Sequence, residues 1–187
     1  MRDPVEVRVN GRPAVVGEEL SHGATVVTGA ESEAVLVVGE NALLLGAHTR
    51  LSVRHEIVDH TPRTRLELAH GRLLAAFGPG SVRLMTPAAV IAAADAGLWL
   101  EAGATETVVC TCFGATRLRV RSRADVWEEI HAGEYGVTRR VDARLGREAI
   151  VDIPPIRHSQ DDLVRLESMM GRRLPYLTLG AFHPYAH

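Results

Sequence analysis

The strongest constraint on the fold is a period of two. Apolar residues stand two apart at Leu51/Val53, Leu66/Leu68, Val82/Leu84, Leu98/Leu100 and Leu118/Val120. Successive side chains of a strand point to opposite faces, so each stretch has one face to bury against a core. Val5, Val7 and Val9 alternate with charged residues ahead of Asn10-Gly11, a pair that favours a tight hairpin. Ala34 to Val38 and Ala42 to Leu45 are apolar runs on either side of Gly39-Glu40-Asn41. About ten short strands can be traced in this way. Glycine punctuates them from Gly11 to Gly114. With 17 glycines and only 4% aromatic residues, the core must be made of Val, Leu, Ile and Ala. The expectation is an all-β fold, a short twisted solenoid or a sandwich.

Between these runs, Arg54 to Thr64 is polar and holds His55, His60 and Pro62, which predicts a connecting loop dividing the strands in two. Gly23 to Thr28 and Ser81 to Thr86 form a loose repeat, each ending in Thr before a turn. Beyond Val120, Trp127 to His131 and Glu134 to Arg139 flank Ala132-Gly133, which predicts a final hairpin, with one helical turn over Asp125 to His131 as the alternative. Pro154-Pro155 ends regular structure. Ser159 then reads as the N-cap of a single C-terminal helix, with Asp161 and Asp162 at its positive end. Leu163, Leu166, Met169 and Met170 form its apolar stripe and Gly171 its C-cap. The tail from Arg172 is expected to be irregular. The implied organisation is a β domain over residues 1–140, then a linker, helix and tail over 141–187.

A net charge of −2 provides no field to draw the chain onto nucleic acid or an anionic membrane. All 21 basic residues are arginines, so Schiff-base and Walker-lysine chemistry is absent. The longest weakly polar run, Pro87 to Leu100, is broken by Asp95 and Gly97 and is too short to span a bilayer. Met1 to Glu6 carry no apolar signal core, so the expected setting is cytoplasmic or that of an exported protein after trimming. No nucleophile elbow, P-loop, dinucleotide fingerprint or His-Glu-x-x-His helix occurs, which makes a non-enzymatic, binding role the expectation.

Two constellations stand out. Cys110 and Cys112 lie two apart on a predicted strand and project to one face. Two thiolates so placed can share a metal such as zinc or iron if further ligands approach, and His131 and His158 are the nearest histidines downstream. A redox pair and two buried small hydrophobes are the alternatives. His158 precedes the helix N-cap, where the dipole favours neutral, ligating imidazole. The other seven histidines fall in turns or tails and are expected to be solvated. The second constellation is Arg117, Arg119, Arg121 and Arg123, a row along one strand face that can dock the acidic edge of a partner or serve as a solvated edge.

The order and spacing of Val9-Asn10-Gly11-Arg12-Pro13-Ala14, His22 to Gly29, Ser32 to Gly39, Leu66 to Leu74 and the segment from Thr86 onward resemble the FecR domain over roughly residues 5 to 140. Val109-Cys110-Thr111-Cys112-Phe113-Gly114 and His158 to Glu167 followed by Gly171-Arg172 are similar to a proteobacterial subgroup of stand-alone, exported FecR-domain proteins. The chain departs from that pattern at Ala92 to Gly97, where a glycine-threonine-glycine turn is usual, and at Glu134-Tyr135, near the place of a histidine pair. The resemblance implies a solenoid-like all-β domain in the periplasm or envelope that binds a protein partner or ligand in signalling or iron-related regulation. In iron-transport regulators such a domain relays transporter occupancy to a sigma factor through a membrane helix and a cytoplasmic anti-sigma segment; neither is legible in these 187 residues.

Overall fold

The computed structural model describes residues 6–58, 60–133, 136–156 and 160–173. Strands β1 (Val7–Val9), β2 (Arg12–Pro13), β3 (Thr25–Thr28), β4 (Ala34–Val38), β5 (Asn41–Leu45) and β6 (Arg50–Val58) come first. They are followed by β7 (Thr61–Phe77), β8 (Val82–Met85), β9 (Ala89–Ala102), β10 (Glu106–Val120), β11 (Trp127–Ala132), β12 (Val137–Asp142) and β13 (Ile150–Asp152). One helix, α1 (Gln160–Met169), follows the strands. Over the described residues the protein is all-β with one C-terminal α-helix, and the expected short strands prove to include three of 14 to 17 residues.

Those three long strands explain the architecture. The first half of β7 pairs with β6 and, in parallel, with β8, while its second half pairs with β5 and β9. β9 and β10 change neighbours in the same way: residues 89–94 of β9 and 115–120 of β10 pair with each other beside β8 and β11, and 97–102 and 107–113 pair beside β7 and β12. Two layers result, β2-β1-β3-β6-β7-β8-β9-β10-β11 and β4-β5-β7-β9-β10-β12-β13, and β7, β9 and β10 run through both. The strands bend where residues hold positive φ: Gly71 in β7 (98°), Asp95 in β9 (48°) and Gly114 in β10 (77°). The inner faces meet in one core, with Leu51, Leu66, Leu84, Ile91 and Leu118 from the first layer and Leu43, Leu73, Leu98, Leu100 and Val109 from the second, all at most 1% exposed.

Several sequence expectations hold in detail. Asn10 and Gly11 both take positive φ (52° and 82°), as a two-residue turn between right-twisted strands requires, and join β1 to β2. The loose repeat marks a shared local device. The Thr28 hydroxyl accepts from the Thr49 amide (2.9 Å), and the Thr86 hydroxyl accepts from the Ala89 amide (2.9 Å) and meets the Thr107 hydroxyl (2.7 Å).

Three expectations are corrected. Arg54 to Thr64 is no loop: β6 and β7 form a long hairpin through it, with Arg54 opposite Arg65 and His55 opposite Thr64. Its polar character arises because the hairpin runs past the end of the core, leaving His55 and Ile57 exposed even on the inward side. β11 and β12 do not pair as a hairpin, nor is there a helical turn over 125–131. Both lie antiparallel to β10, one after the other, β11 against residues 114–119 and β12 against 106–111, so they occupy one edge and enter different layers. The sheet also continues past Arg140, through the end of β12 and into β13. Where the two edges diverge, Arg139 of β12 donates to both oxygens of Glu128 on β11 (2.8 to 3.1 Å) and to Asp152 (2.8 Å), closing the mouth of the sandwich.

At the end of β12, Asp142 accepts from the Arg144 guanidinium at 2.8 and 2.7 Å and from the Arg144 amide at 3.0 Å. These bonds hold its carboxyl down to about 2, chiefly through the guanidinium. A carboxyl whose folded pKa lies below its unfolded value of about 3.9 adds stability that is complete above that value and is lost as pH falls towards 2. Arg144→Ser should therefore raise the midpoint of acid unfolding followed by circular dichroism; an unmoved midpoint would show that Asp142 plays no part in acid resistance.

Candidate functional site

The outer face of the second layer carries a separate apolar cluster. Ala42 of β5, Leu74 and Ala76 of β7, and Cys110, Cys112 and Phe113 of β10 are buried there in one cluster with Leu163 and Leu166 of α1, which packs on β5 and β7, and Leu44, Trp99, Val164 and Met170 lie at the margin. Leu163 and Leu166 are at most 1% exposed, as their helical spacing predicts, but Met169 is 49% exposed and does not belong to the buried stripe. Gly171 (φ 69°) ends the helix: its amide donates to the Ser168 carbonyl (3.0 Å) and the Arg172 amide to the Glu167 carbonyl (2.9 Å), a Schellman cap. The Arg172 guanidinium then binds the buried Glu167 carboxylate (2.8 Å), the Glu40 carbonyl (2.7 Å) and the Ala76 carbonyl (3.2 Å). The Gly-Arg pair thus serves as a cap and as a latch onto the β4–β5 turn.

Cys110 and Cys112 share this covered face, as their spacing predicts, and neither is in a disulfide. The Cys112 thiol donates to the Cys110 carbonyl (3.7 Å). Its pKa is raised far above the ordinary thiol range, first by the hydrogen bond with Cys110, then by burial and by repulsion from a Cys110 thiolate. A protonated, covered thiol is a poor nucleophile. A Cβ on Gly136 would sit 3.0 Å from Cys110 Sγ, so the glycine leaves room for the sulfur, and one on Gly97 would strike the Phe113 ring at 2.3 Å. Thr138, opposite Cys110, is 2% exposed, and no described residue bonds its hydroxyl.

The structure does not bring His131 into this pocket. Its ring is 71% exposed and sits 3.4 Å from the Glu129 carboxylate. Among the described residues no group of three or more His, Cys, Asp or Glu side chains converges in a metal-binding arrangement. His158, the other expected ligand, lies outside the described residues, as do the N-cap Ser159, Glu134-Tyr135 and the tail after Arg173.

The arginine row is partly dismantled by its own neighbours. Leu118 and Val120 are fully buried while Arg117 and Arg119 project outward, as expected. Arg117 stacks on Trp127 (5.1 Å to the ring centroid) and lies 3.7 Å from Glu129. Arg121 falls beyond the strand and donates to the Thr86 carbonyl (2.9 Å), and Arg123 pairs with Asp125 through two bonds (3.1 and 3.2 Å). The sequence alone did not single out Trp127, which is 54% exposed beside Arg117.

No protein-family model and no curated protein matches the chain. Its fold is similar to that of two crystal structures from Parabacteroides distasonis ATCC 8503, at 2.50 and 1.65 Å, each described as a candidate anti-sigma factor. The TM-score is 0.56 for both, at 11% and 12% identity over 76% of this chain. The matched region spans 64% of those proteins, less than two thirds of their length. Among the described residues no helix is long and apolar enough to cross a membrane.

Proposed function

We propose that the chain is a non-enzymatic, FecR-like domain of the bacterial envelope that takes part in signalling by binding a protein partner. The observation that carries this reading is the shared fold with candidate anti-sigma factors over three quarters of the chain. The order of strand and turn motifs that resembles the FecR domain supports it independently. Deletion of the gene should change the transcription of a discrete set of genes, and the intact chain supplied in trans should restore it. An unchanged transcriptome under both iron-replete and iron-depleted growth would remove the regulatory role.

A second reading, a metal-binding or redox protein, draws on the contact between Cys110 and Cys112 in the buried cluster of the second layer. Elemental analysis of protein purified without a polyhistidine tag separates the two: stoichiometric zinc or iron supports a bound metal, and its absence leaves the thiols as parts of the helix-docking face.

A further inference from the structure

Across the strands of the first layer, rather than along β10, the registers place arginines in a line. Arg54 of β6 stands opposite Arg65 of β7, Arg65 opposite Arg83 of β8, Arg83 opposite Ala92 of β9, Ala92 opposite Arg117 of β10, and Arg117 opposite Glu129 of β11. All point outward, because the chain neighbours Val53, Leu66, Leu84, Ile91, Leu118 and Ile130 are at most 2% exposed on the core side. At about 4.8 Å per strand the line spans about 24 Å.

Like charges directly opposite one another destabilise a sheet, and the acids nearby neutralise this line only in part. Glu56 lies 3.8 Å from Arg65 and 3.6 Å from Arg83, and Glu67 lies 2.6 Å from Arg65. Arg54 and the neighbouring Arg119 make no ion pair with any described residue. The line is interrupted only at β9, where Ala92 and Ala94 are exposed and Ala115 of β10 faces Ala94. Small side chains between Arg83 on one side and Arg117 with Trp127 on the other make a trough along β9. Its walls, two strand spacings apart, stand about 10 Å from each other, the clearance one extended chain needs.

We infer that this trough binds an extended acidic polypeptide segment of a partner protein, its carboxylates paired with Arg83 and Arg117 and its small apolar side chains on the alanine floor. The inference rests on the partner-binding role proposed above and names the surface and chemistry of that partner. Glu56, Glu67 and Glu129 within the line create a mixed field that repels a continuous run of phosphates, whereas a polypeptide can place its carboxylates selectively.

The test uses the full chain and a fluorescein-labelled peptide of six Glu-Ala repeats, followed by anisotropy. Binding should weaken steeply between about 20 and 300 mM salt. Arg83→Ser with Arg117→Ser should weaken it at least about tenfold, while Arg165→Ser on α1, which covers the other layer, changes it less than about twofold, the melting temperature serving as the check on folding. Equal loss in Arg165→Ser, no binding at 20 mM salt, or tighter arginine-dependent binding of duplex DNA or phosphatidylserine vesicles would each overturn the inference. If the double variant still restores the transcription lost on deletion, the trough is not the partner site but the regulatory role stands.

Discussion

Leu166→Asp should detach α1 and lower the melting temperature by about 10 °C. Leu166 is 1% exposed in the cluster where α1 packs on β5 and β7. Its burial contributes about 1.5 to 3 kcal/mol, and a carboxylate forced into the same place adds a desolvation cost of similar size. A total of about 3 to 5 kcal/mol, at roughly 2 to 4 °C per kcal/mol for a chain of this length, gives the expected shift. The helix can escape part of the penalty by undocking, and a second measurement detects that. Cys110 and Cys112 belong to the same buried cluster, so if the docked helix keeps that cluster closed their alkylation by iodoacetamide at pH 8 should be slow in the native protein and fast in the variant. An unchanged melting temperature together with equally slow alkylation would show that α1 does not cover the thiols.

An effect of similar size is expected at a residue with no side chain. Gly71, at the bend of β7, has φ 98°, and a Cβ there would lie 2.4 Å from Thr49 Oγ1, 2.5 Å from Thr49 Cα and 2.7 Å from the His48 carbonyl oxygen. Two of those three atoms are backbone, and Thr49 is itself held by bonds to Thr28 and to the Arg72 carbonyl. Gly71→Ala should therefore push β6 and β7 apart and cost more than about 3 kcal/mol, the left-handed backbone alone accounting for about 1 to 2. Gly39→Ala provides the control. Its φ is also positive (58°), but nothing lies within 4 Å of the added carbon, so it should lose only about 1 to 2 kcal/mol. Equal losses at the two positions in urea unfolding would mean that the clash at Gly71 is relieved and that the bend is set elsewhere.

What the sequence reveals follows from which faces touch the core. Leu51/Val53, Leu66/Leu68 and Leu118/Val120 are legible because both members of each pair are buried while the residues between them are not fully so. The β6–β7 hairpin beyond Arg54 is illegible because it leaves the core, so its inward positions carry His55 and Ile57 and the alternation fades. Gly71, Gly97 and Gly114 read as chain reversals but lie within strands that bend, and a single chain does not show which glycine turns and which bends. Ala132-Gly133 reads as a hairpin tip because local signals cannot show that β10 offers one edge long enough for two strands in succession. At the candidate site, the shared face of the cysteines and the outward arginines of β10 follow from period two alone. The arginine line across β6, β7, β8 and β10 does not, since its members lie 11 to 34 residues apart in sequence and meet only through the registers.

The three strands that run through both layers also determine how the protein can come apart. In a sandwich whose sheets share no strand, one sheet can open while the other persists; here, separating the layers requires breaking the ladders of β7, β9 and β10 at once. The core-buried amides of β7, β9 and β10 should therefore exchange as one unit that opens only with global unfolding. Smaller openings are left to the periphery: α1 with its Arg172 latch, and the β1–β2 hairpin at the far edge.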